Sequence, residues 1–125
     1  MIEHVKISTR GKSHLIRLKT KTGIDNWNIL CRWAFCLSLS ESTLPRSESV
    51  AGEGAAIEMT WRTFGGDLSD VYLALLKHAC HAQGLEINKK NLESLLWLHI
   101  HRGIGYLMGD KKKGIENMLL HAGLG

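Results

Sequence analysis

The longest apolar stretch of the chain covers residues 27–39, where hydrophobic side chains occur at every offset around a helix. Arg32 is the only charged residue within it. A helix that is apolar on nearly all sides has to be surrounded by other elements, and at about 1.5 Å per residue this one is too short to cross a bilayer. The pattern therefore predicts the core helix of a soluble domain, with the carboxylate of Asp25 as its N-cap.

The residues before this helix predict a strand followed by a second helix. Residues 4–8 alternate polar and apolar side chains, so we expect a short strand with Val5 and Ile7 on its inner face. Thr9 is suited to cap a helix that ends before Gly23, a residue that readily adopts the left-handed conformation of a helix C-cap. The predicted buried stripe of this helix consists of Leu15 and Leu18.

The second half of the chain predicts one strand and two helices. Strict alternation over residues 57–63 is typical of a half-buried strand. Helical spacing of apolar side chains then predicts a helix over residues 67–84, capped by Asp67, and another over residues 88–103. The two glycines within residues 103–106 predict a turn after the last of these helices.

Two segments differ in composition from these elements. Residues 40–56 contain the only proline, two glycines and few side chains that can be buried, which predicts a mobile surface loop. Residues 110–125 include three consecutive lysines and predict a basic tail or a loosely packed terminal helix. We therefore expect a mainly α fold, a compact helical domain over residues 1–109 with one or two short β-strands. The strand–helix–helix order of the N-terminal half also fits a ribbon-helix-helix module.

Positive charge is concentrated at the N-terminus. The net charge is +4, but residues 1–23 hold six basic residues and one acidic residue, a net +5, and the other 102 residues sum to −1. Binding to the DNA backbone requires a compact patch of flexible cations, although a solvated basic helix face has the same composition. The candidate DNA-binding residues are Lys6, Arg10, Lys12, Arg17, Lys19 and Lys21.

The candidate catalytic and metal-binding residues have unsuitable spacing. Seven histidines and three cysteines form no Cys-x-x-Cys or His-Glu-x-x-His pattern. Cys31 and Cys36 fall within the predicted core helix, where burial keeps thiols protonated and inert. Asp67 and Asp70 are accounted for by their place at a helix start. We therefore expect a protein without enzymatic activity, metal or cofactor, and the odd number of cysteines is typical of reduced thiols in a cytoplasmic protein.

Three stretches carry a family resemblance: His-Val-Lys-Ile-Ser-Thr-Arg-Gly-Lys over residues 4–12, Asn-Ile-Leu-Cys-Arg-Trp-Ala-Phe-Cys-Leu-Ser-Leu over 28–39, and Glu-Met-Thr-Trp-Arg-Thr-Phe-Gly-Gly over 58–66. They are similar to the DndE family of DNA sulfur-modification proteins, and the similarity extends over about residues 2–109. The resemblance implies a cytosolic, tetrameric subunit that prefers nicked duplex DNA and works with the other modification subunits. It also implies that a cysteine desulfurase and its iron–sulfur partner perform the sulfur chemistry.

The residues leave three alternatives open. A nicking nuclease would use acidic and histidine side chains, a ribbon-helix-helix regulator would read bases through His4, Lys6 and Ser8, and an adaptor would present its basic patch to protein or RNA. No stretch of the sequence is long and apolar enough to span a membrane. The expected partners are double-stranded DNA, further copies of the chain and the other modification subunits.

Overall fold

The computed structural model describes residues 2–45 and 54–109, and helices make up 70% of them, which confirms the mainly α prediction. Residues 46–53, in the middle of the predicted mobile loop 40–56, lie outside the described residues, and so does the predicted tail, residues 110–125. In chain order the elements are β1 (His4–Ser8), α1 (Thr9–Thr22), α2 (Trp27–Leu39), β2 (Ala55–Thr60), α3 (Trp61–Gly65), a 3₁₀ turn (Gly66–Leu68), α4 (Ser69–Ala82) and α5 (Lys89–Gly109).

The centre of the fold is the packing of α2 against α5, which is more extensive than that of any other two elements described. The predicted core helix is confirmed: Leu30, Cys31 and Phe35 on α2 are fully buried. The Phe35 ring meets an aromatic ring from each of three other helices, with centroids 5.8 Å, 6.2 Å and 6.3 Å away. These partners are Phe64 on α3, Tyr72 on α4 and His99 on α5.

The turn predicted at residues 103–106 is wrong, because α5 continues through both glycines to Gly109. Gly103 is buried where α5 crosses α2. A Cβ added to Gly103 would overlap the carbonyl group of Ala34 and lie 2.6 Å from the Ala34 Cα. The glycine therefore serves to bring two helix backbones together, and the absence of a side chain is required by packing rather than by a bend.

The two strands form an antiparallel pair in which Val5 lies opposite Met59 and Ile7 opposite Ile57. Val5 and Ile7 are buried, as the alternation predicts. The second strand ends earlier than the predicted range 57–63, because the chain turns into α3 at Trp61. Thr60 terminates the strand: its hydroxyl accepts a hydrogen bond from the amide of Thr63 at 3.0 Å and so caps the new helix.

Two N-caps also differ from the predicted ones. The Ser8 hydroxyl, one residue earlier than predicted, caps α1 by accepting from the Gly11 amide at 3.0 Å. Asn26 rather than Asp25 stands at the N-cap of α2, and its side chain makes no capping bond. Gly23 closes α1 in the left-handed conformation that the sequence predicts, with φ of 74°.

The helix predicted over residues 67–84 begins later than expected. Asp67 lies in the 3₁₀ turn, and α4 begins at Ser69 after Leu68, which has no side chain able to cap it. The turn forms because α3 ends in two glycines and the backbone leaves the helical region at Gly66, with φ of 59° and ψ of −141°. The only charge of α2, Arg32, donates to the carbonyls of Thr63 and Phe64 and so binds the end of α3 to the core helix.

Candidate nucleic-acid interface

Helix α1 lies against α5 and β2, with one narrow buried side. The predicted stripe is confirmed, since Leu15 and Leu18 are buried, and Gly11 joins them because a Cβ there would lie 2.7 Å from the Ile7 side chain. The helix contains no acidic residue. Its five cations therefore face outward on the two sides of a single buried stripe.

The first of these sides, which we call the Arg10 flank, consists of Arg10, Arg17 and Lys21. The three residues fall within about 40° around the helix axis, and all are exposed. His14, half-buried, lies on the same side. Burial lowers the pKa of His14, and the positive charges of Arg10 and Arg17 lower it further. The flank is thus electropositive enough to disfavour an additional positive charge.

The second side, the Lys19 flank, consists of Lys12 and Lys19, both half-buried. The Nζ atom of Lys19 lies 5.1 Å from the centroid of the Trp27 ring at the start of α2. This cation–π contact directs the ammonium toward the tryptophan and away from the flexible, fully solvated state of a surface lysine. We therefore expect Lys19 to be less available to a ligand than Arg17.

Lys6 is separated from both flanks by its position in the sheet. It is exposed on the outer face of β1, where its register partner on β2 is Glu58. A carboxylate directly opposite a lysine reduces the positive potential that a DNA phosphate would meet there. The structure therefore gathers Arg10, Lys12, Arg17, Lys19 and Lys21 on one helix and leaves Lys6 outside this group.

Arg102 on α5 is a cation that the sequence pattern does not reveal. Its guanidinium donates to the Ser38 hydroxyl, the Ser38 carbonyl oxygen and the Thr43 hydroxyl, at 2.8 Å, 2.8 Å and 2.9 Å. It also lies 5.7 Å from the centroid of the Tyr106 ring. No local signal marks Arg102, because its hydrogen-bond partners are 59 and 64 residues away along the chain.

The Ser38 hydroxyl connects Arg102 to a buried histidine. It accepts from Arg102 and forms a second hydrogen bond, of 2.8 Å, with the Nδ1 atom of His99. Burial lowers the pKa of His99 to about 4, and the charge of Arg102 acts in the same direction. His99 is 4% exposed, which gives this chain of bonds a structural role in joining α2 and α5.

His101 connects α5 to the start of α1. Its Nε2 atom accepts from the Ser8 amide at 3.0 Å, and its Nδ1 atom lies 2.8 Å from the carbonyl oxygen of Trp97. Only the neutral ring with its proton on Nδ1 satisfies both contacts. Through these bonds α5 fixes the first turn of α1, and with it the position of Arg10.

A cavity of about 600 Å³ lies between α1, the segment after α2 and α5, and we call it the α1–α5 cavity. Arg10 from α1 and Arg102 from α5 both line it, together with His14 and Tyr106. Uncharged polar groups and apolar side chains complete the wall, and none of the described residues that line it is acidic. These apolar residues are Leu44, Pro45, Leu98 and Ile104.

The cysteines show no arrangement suited to catalysis among the described residues. Cys31 is fully buried, and burial raises its pKa to about 12. Cys80 is also buried, with its Sγ atom 3.4 Å from the carbonyl oxygen of Glu86. Cys36 is exposed, which corrects the expectation that both cysteines of the core helix are enclosed, although desolvation raises the pKa of its thiol as expected. Within residues 2–45 and 54–109, no three His, Cys, Asp or Glu side chains are grouped so that they could hold a metal ion.

None of the helices that the structure describes combines the length and the apolar composition that a bilayer-spanning helix requires.

The fold and the basic helix define a class of small, mainly helical proteins with a two-stranded sheet. The family model of the DNA sulphur modification protein DndE matches residues 4–114, so the chain belongs to the DndE family. The members of this family are described as DNA sulphur modification proteins. No curated protein matches the sequence.

Two solved structures share the fold. The crystal structure of DndE from Escherichia coli B7A, involved in DNA phosphorothioation modification, is similar with a TM-score of 0.70 and 23% identity, covering 86% of this chain and 98% of that one. A DndE mutant with glycine-to-lysine substitutions gives a TM-score of 0.68 at 19% identity, covering 87% and 99%.

Proposed function

We propose that this protein is the non-catalytic, DNA-binding subunit of the phosphorothioate modification system, and that it binds the backbone of nicked double-stranded DNA as an oligomer. The observation that carries the proposal is the cation distribution on α1, where five basic residues and no acidic residue flank one buried stripe. The DNA-contacting surface is the Arg10 flank, with the Lys19 flank in a supporting role. Lys6 contributes least, because Glu58 is its register partner.

The character of the binding follows from the kind of side chain available. Arg10, Arg17 and Lys21 are exposed and carry their charge at the end of long side chains, which contact phosphates without reading bases. We therefore expect binding that is strongly salt-dependent and independent of sequence. The preference for a nick follows from flexibility, because an interrupted strand bends at a lower cost around a compact protein.

Self-association is supported by an exposed apolar stripe that runs from the end of the 3₁₀ turn along one side of α4. Leu68, Val71 and Leu75 are 56%, 51% and 41% exposed and follow one another at helical spacing. An apolar stripe of this kind is typical of an interface with a partner, and here we propose a further copy of the chain. A tetramer would present four copies of α1 to one DNA molecule and raise the affinity well above that of a single weak site.

The protein would act in the cytoplasm beside the other subunits of the modification system, which supply the sulfur chemistry. The nicking-nuclease alternative has less support, because the described residues hold no cluster of metal-binding side chains. The ribbon-helix-helix alternative requires strands of two subunits to pair, whereas β1 pairs with β2 of its own chain. Incubation of supercoiled plasmid with the protein and divalent metal tests the nuclease, and we expect no nicking.

The main test compares two double variants that lose the same charge. Arg17→Gln with Lys21→Gln removes two cations from the Arg10 flank, and Lys89→Gln with Lys90→Gln removes two exposed cations from the start of α5. We expect the first pair to weaken binding to nicked duplex and to reduce the slope of log K against log salt by roughly 0.9 for each phosphate that is no longer neutralised. Equal effects of the two pairs, measured by fluorescence anisotropy, would show that net charge rather than α1 determines binding.

The oligomer is tested separately by light scattering. A tetramer of the 14.0 kDa chain has a mass of about 56 kDa, which is 4 × 14.0. Leu75→Lys places a charge in the exposed stripe of α4 and should lower the measured mass, whereas Ser94→Lys on the exposed side of α5 should not. A wild-type mass of one chain across the concentration range would contradict the oligomer and the avidity that depends on it.

A further inference from the structure

We propose that the α1–α5 cavity binds the terminal nucleotide of an interrupted DNA strand and recognises its phosphate monoester. The inference rests on the proposed function, since it assigns to one cavity the part of the DNA that an intact duplex lacks. The volume of about 600 Å³ lies within the range of small-molecule sites.

The polar side of the cavity fits an anion. Arg10 is exposed at its edge, and Arg102 enters from α5 with three of the five guanidinium N–H groups engaged by Ser38 and Thr43. The guanidinium is thus held in place by its bonds while keeping donors for a ligand. None of the described residues in the cavity wall carries a carboxylate, so none of them competes for these donors.

The two arginines are held in different ways. Arg102 is held by α2 and the segment after it through Ser38 and Thr43. The first turn of α1, which carries Arg10, is held by the bond from the Ser8 amide to His101. A bonded guanidinium on α5 and an exposed one on α1 are suited to a phosphate, whose oxygens accept bonds from both directions.

The remaining wall fits the rest of a nucleotide. Leu98 and Ile104 from α5 and Pro45 from the segment after α2 provide apolar surface, and Tyr106 provides an aromatic ring. Bases stack on aromatic side chains without regard to sequence, so this wall accepts any terminal base. A nucleotide inside an intact duplex can offer its phosphate to the arginines but not its base to the wall, because that base remains stacked and paired. Only a terminal nucleotide can contact both parts of the cavity.

Gly105 provides a variant that blocks the cavity without disturbing the fold. It lines the cavity, it is exposed on α5, and a Cβ added there meets no atom within 4 Å. Gly105→Phe therefore fills the cavity with an uncharged ring and leaves every cation in place. Gly105→Ala is the matched control, because it makes the same backbone change and adds only one methyl group.

The experiment measures the affinity of each protein for three duplexes at one salt concentration. The first carries a nick with a terminal phosphate, the second the same nick with hydroxyl ends only, and the third is intact. We expect wild-type protein and Gly105→Ala to bind the phosphorylated nick at least about tenfold more tightly than the hydroxyl nick. Gly105→Phe should lose this ratio and keep its affinity for the hydroxyl nick.

The outcomes separate the inference from the proposed function. Equal wild-type affinity for the two nicks, both bound more tightly than intact duplex, would overturn the cavity assignment and leave the proposed function standing. A phosphate preference that survives in Gly105→Phe would also overturn it, whereas absence of DNA binding by the wild type would overturn the proposed function itself.

A free nucleotide carries the same phosphate monoester as a DNA end and could also occupy the cavity. NMR titration distinguishes the two ligands. Titration of thymidine monophosphate should shift the amide signals of Gly11 and Gly105 in wild type, and thymidine should shift neither. The Gly11 signal should stay unshifted by the monophosphate in Gly105→Phe. If the nucleotide binds more tightly than the phosphorylated nick does, the cavity is a nucleotide site and its assignment to DNA ends is wrong.

Discussion

Gly103 on α5 lies directly against the backbone of Ala34 on α2, so closely that a Cβ at residue 103 would lie 2.6 Å from the Ala34 Cα and overlap its carbonyl group. Both residues are buried at the crossing of the two helices that pack most extensively. Neither backbone can move away without opening the core around Phe35. The close approach of α2 and α5 therefore requires a glycine at residue 103, because any side chain larger than a hydrogen atom would collide with α2.

Gly103→Ala should destabilise the protein severely, by about 3 kcal/mol or more, because the methyl group has no space in the helix crossing. Gly105→Ala is the control, two residues along the same helix, where the added Cβ meets open space. It should be neutral or stabilising by up to about 1 kcal/mol, since alanine favours a helix over glycine. Urea unfolding followed by circular dichroism measures both, and similar midpoints for the two variants would contradict the packing argument.

The same glycine shows why the sequence predicts a turn where the structure has a helix. A glycine pair is equally compatible with a turn and with a close helix crossing, and the element packed against it determines which one forms. In this chain that element is α2, where Ala34 lies 69 residues earlier in the sequence. Boundaries that depend on such distant contacts cannot be predicted locally, whereas the helix end at Gly23 can, because its left-handed conformation is a local requirement.

The residues of the candidate site also differ in whether the local sequence predicts them. The cations of α1 and its buried Leu15 and Leu18 follow from helical spacing, which is local and can be read from the sequence. Arg102 could not be found, because its role depends on Ser38 and Thr43 far away in the chain. The pairing of Lys6 with Glu58 likewise emerges only once the register of the two strands is known.

Stability should fall in acid through His99. Its pKa is lowered to about 4 in the folded protein and is close to 6.5 when unfolded, so between these values the unfolded state binds more protons. The free energy of unfolding therefore decreases as the pH falls from 6.5 toward 4, by up to about 3 kcal/mol. Urea unfolding at pH 7, 5.5 and 4.5 measures the decrease.

Two variants identify the source of this acid sensitivity. His99→Gln removes the titrating group and should flatten the pH dependence, while lowering stability at pH 7 because Ser38 loses its partner. His78→Gln, at an exposed position of α4, should leave the pH dependence as it is in wild type. An unchanged slope in His99→Gln would assign the effect to another group.

Lys19 should affect DNA binding less than Arg17 does, although the two carry the same charge on the same helix. The ammonium of Lys19 lies 5.1 Å from the Trp27 ring, whereas Arg17 is exposed. Lys19→Gln should cost about 0.5–1 kcal/mol of stability because it removes the cation–π interaction, with little change in affinity for nicked duplex. Arg17→Gln should lower the affinity for nicked duplex and leave the stability nearly unchanged. Anisotropy titrations measure the affinity of both variants for nicked duplex, and urea unfolding measures their stability. A larger drop in affinity for Lys19→Gln would contradict the assignment of the two flanks.

The three cysteines should react in the order of their exposure. Cys36 is exposed and should be modified by a thiol reagent in the native protein, although desolvation raises the pKa of its thiol and slows the reaction. Cys31 should resist until unfolding, because it is fully buried and burial raises its pKa to about 12. Mass spectrometry of the labelled peptides measures the order, and labelling of Cys31 as fast as Cys36 in the folded protein would contradict it.

The same cysteines should have no role in function, since the burial of two of them has a structural explanation. Cys31→Ala should lower stability by about 1–2 kcal/mol through the cavity it leaves, and Cys36→Ser should not. Cys80→Ser should retain DNA affinity and still support sulfur incorporation when combined with the other modification subunits, because the Cys80 thiol is buried against the carbonyl oxygens of Leu85 and Glu86. If Cys80→Ser folds and binds DNA normally but yields no phosphorothioate, Cys80 takes part in sulfur transfer and the protein is not a purely DNA-binding subunit.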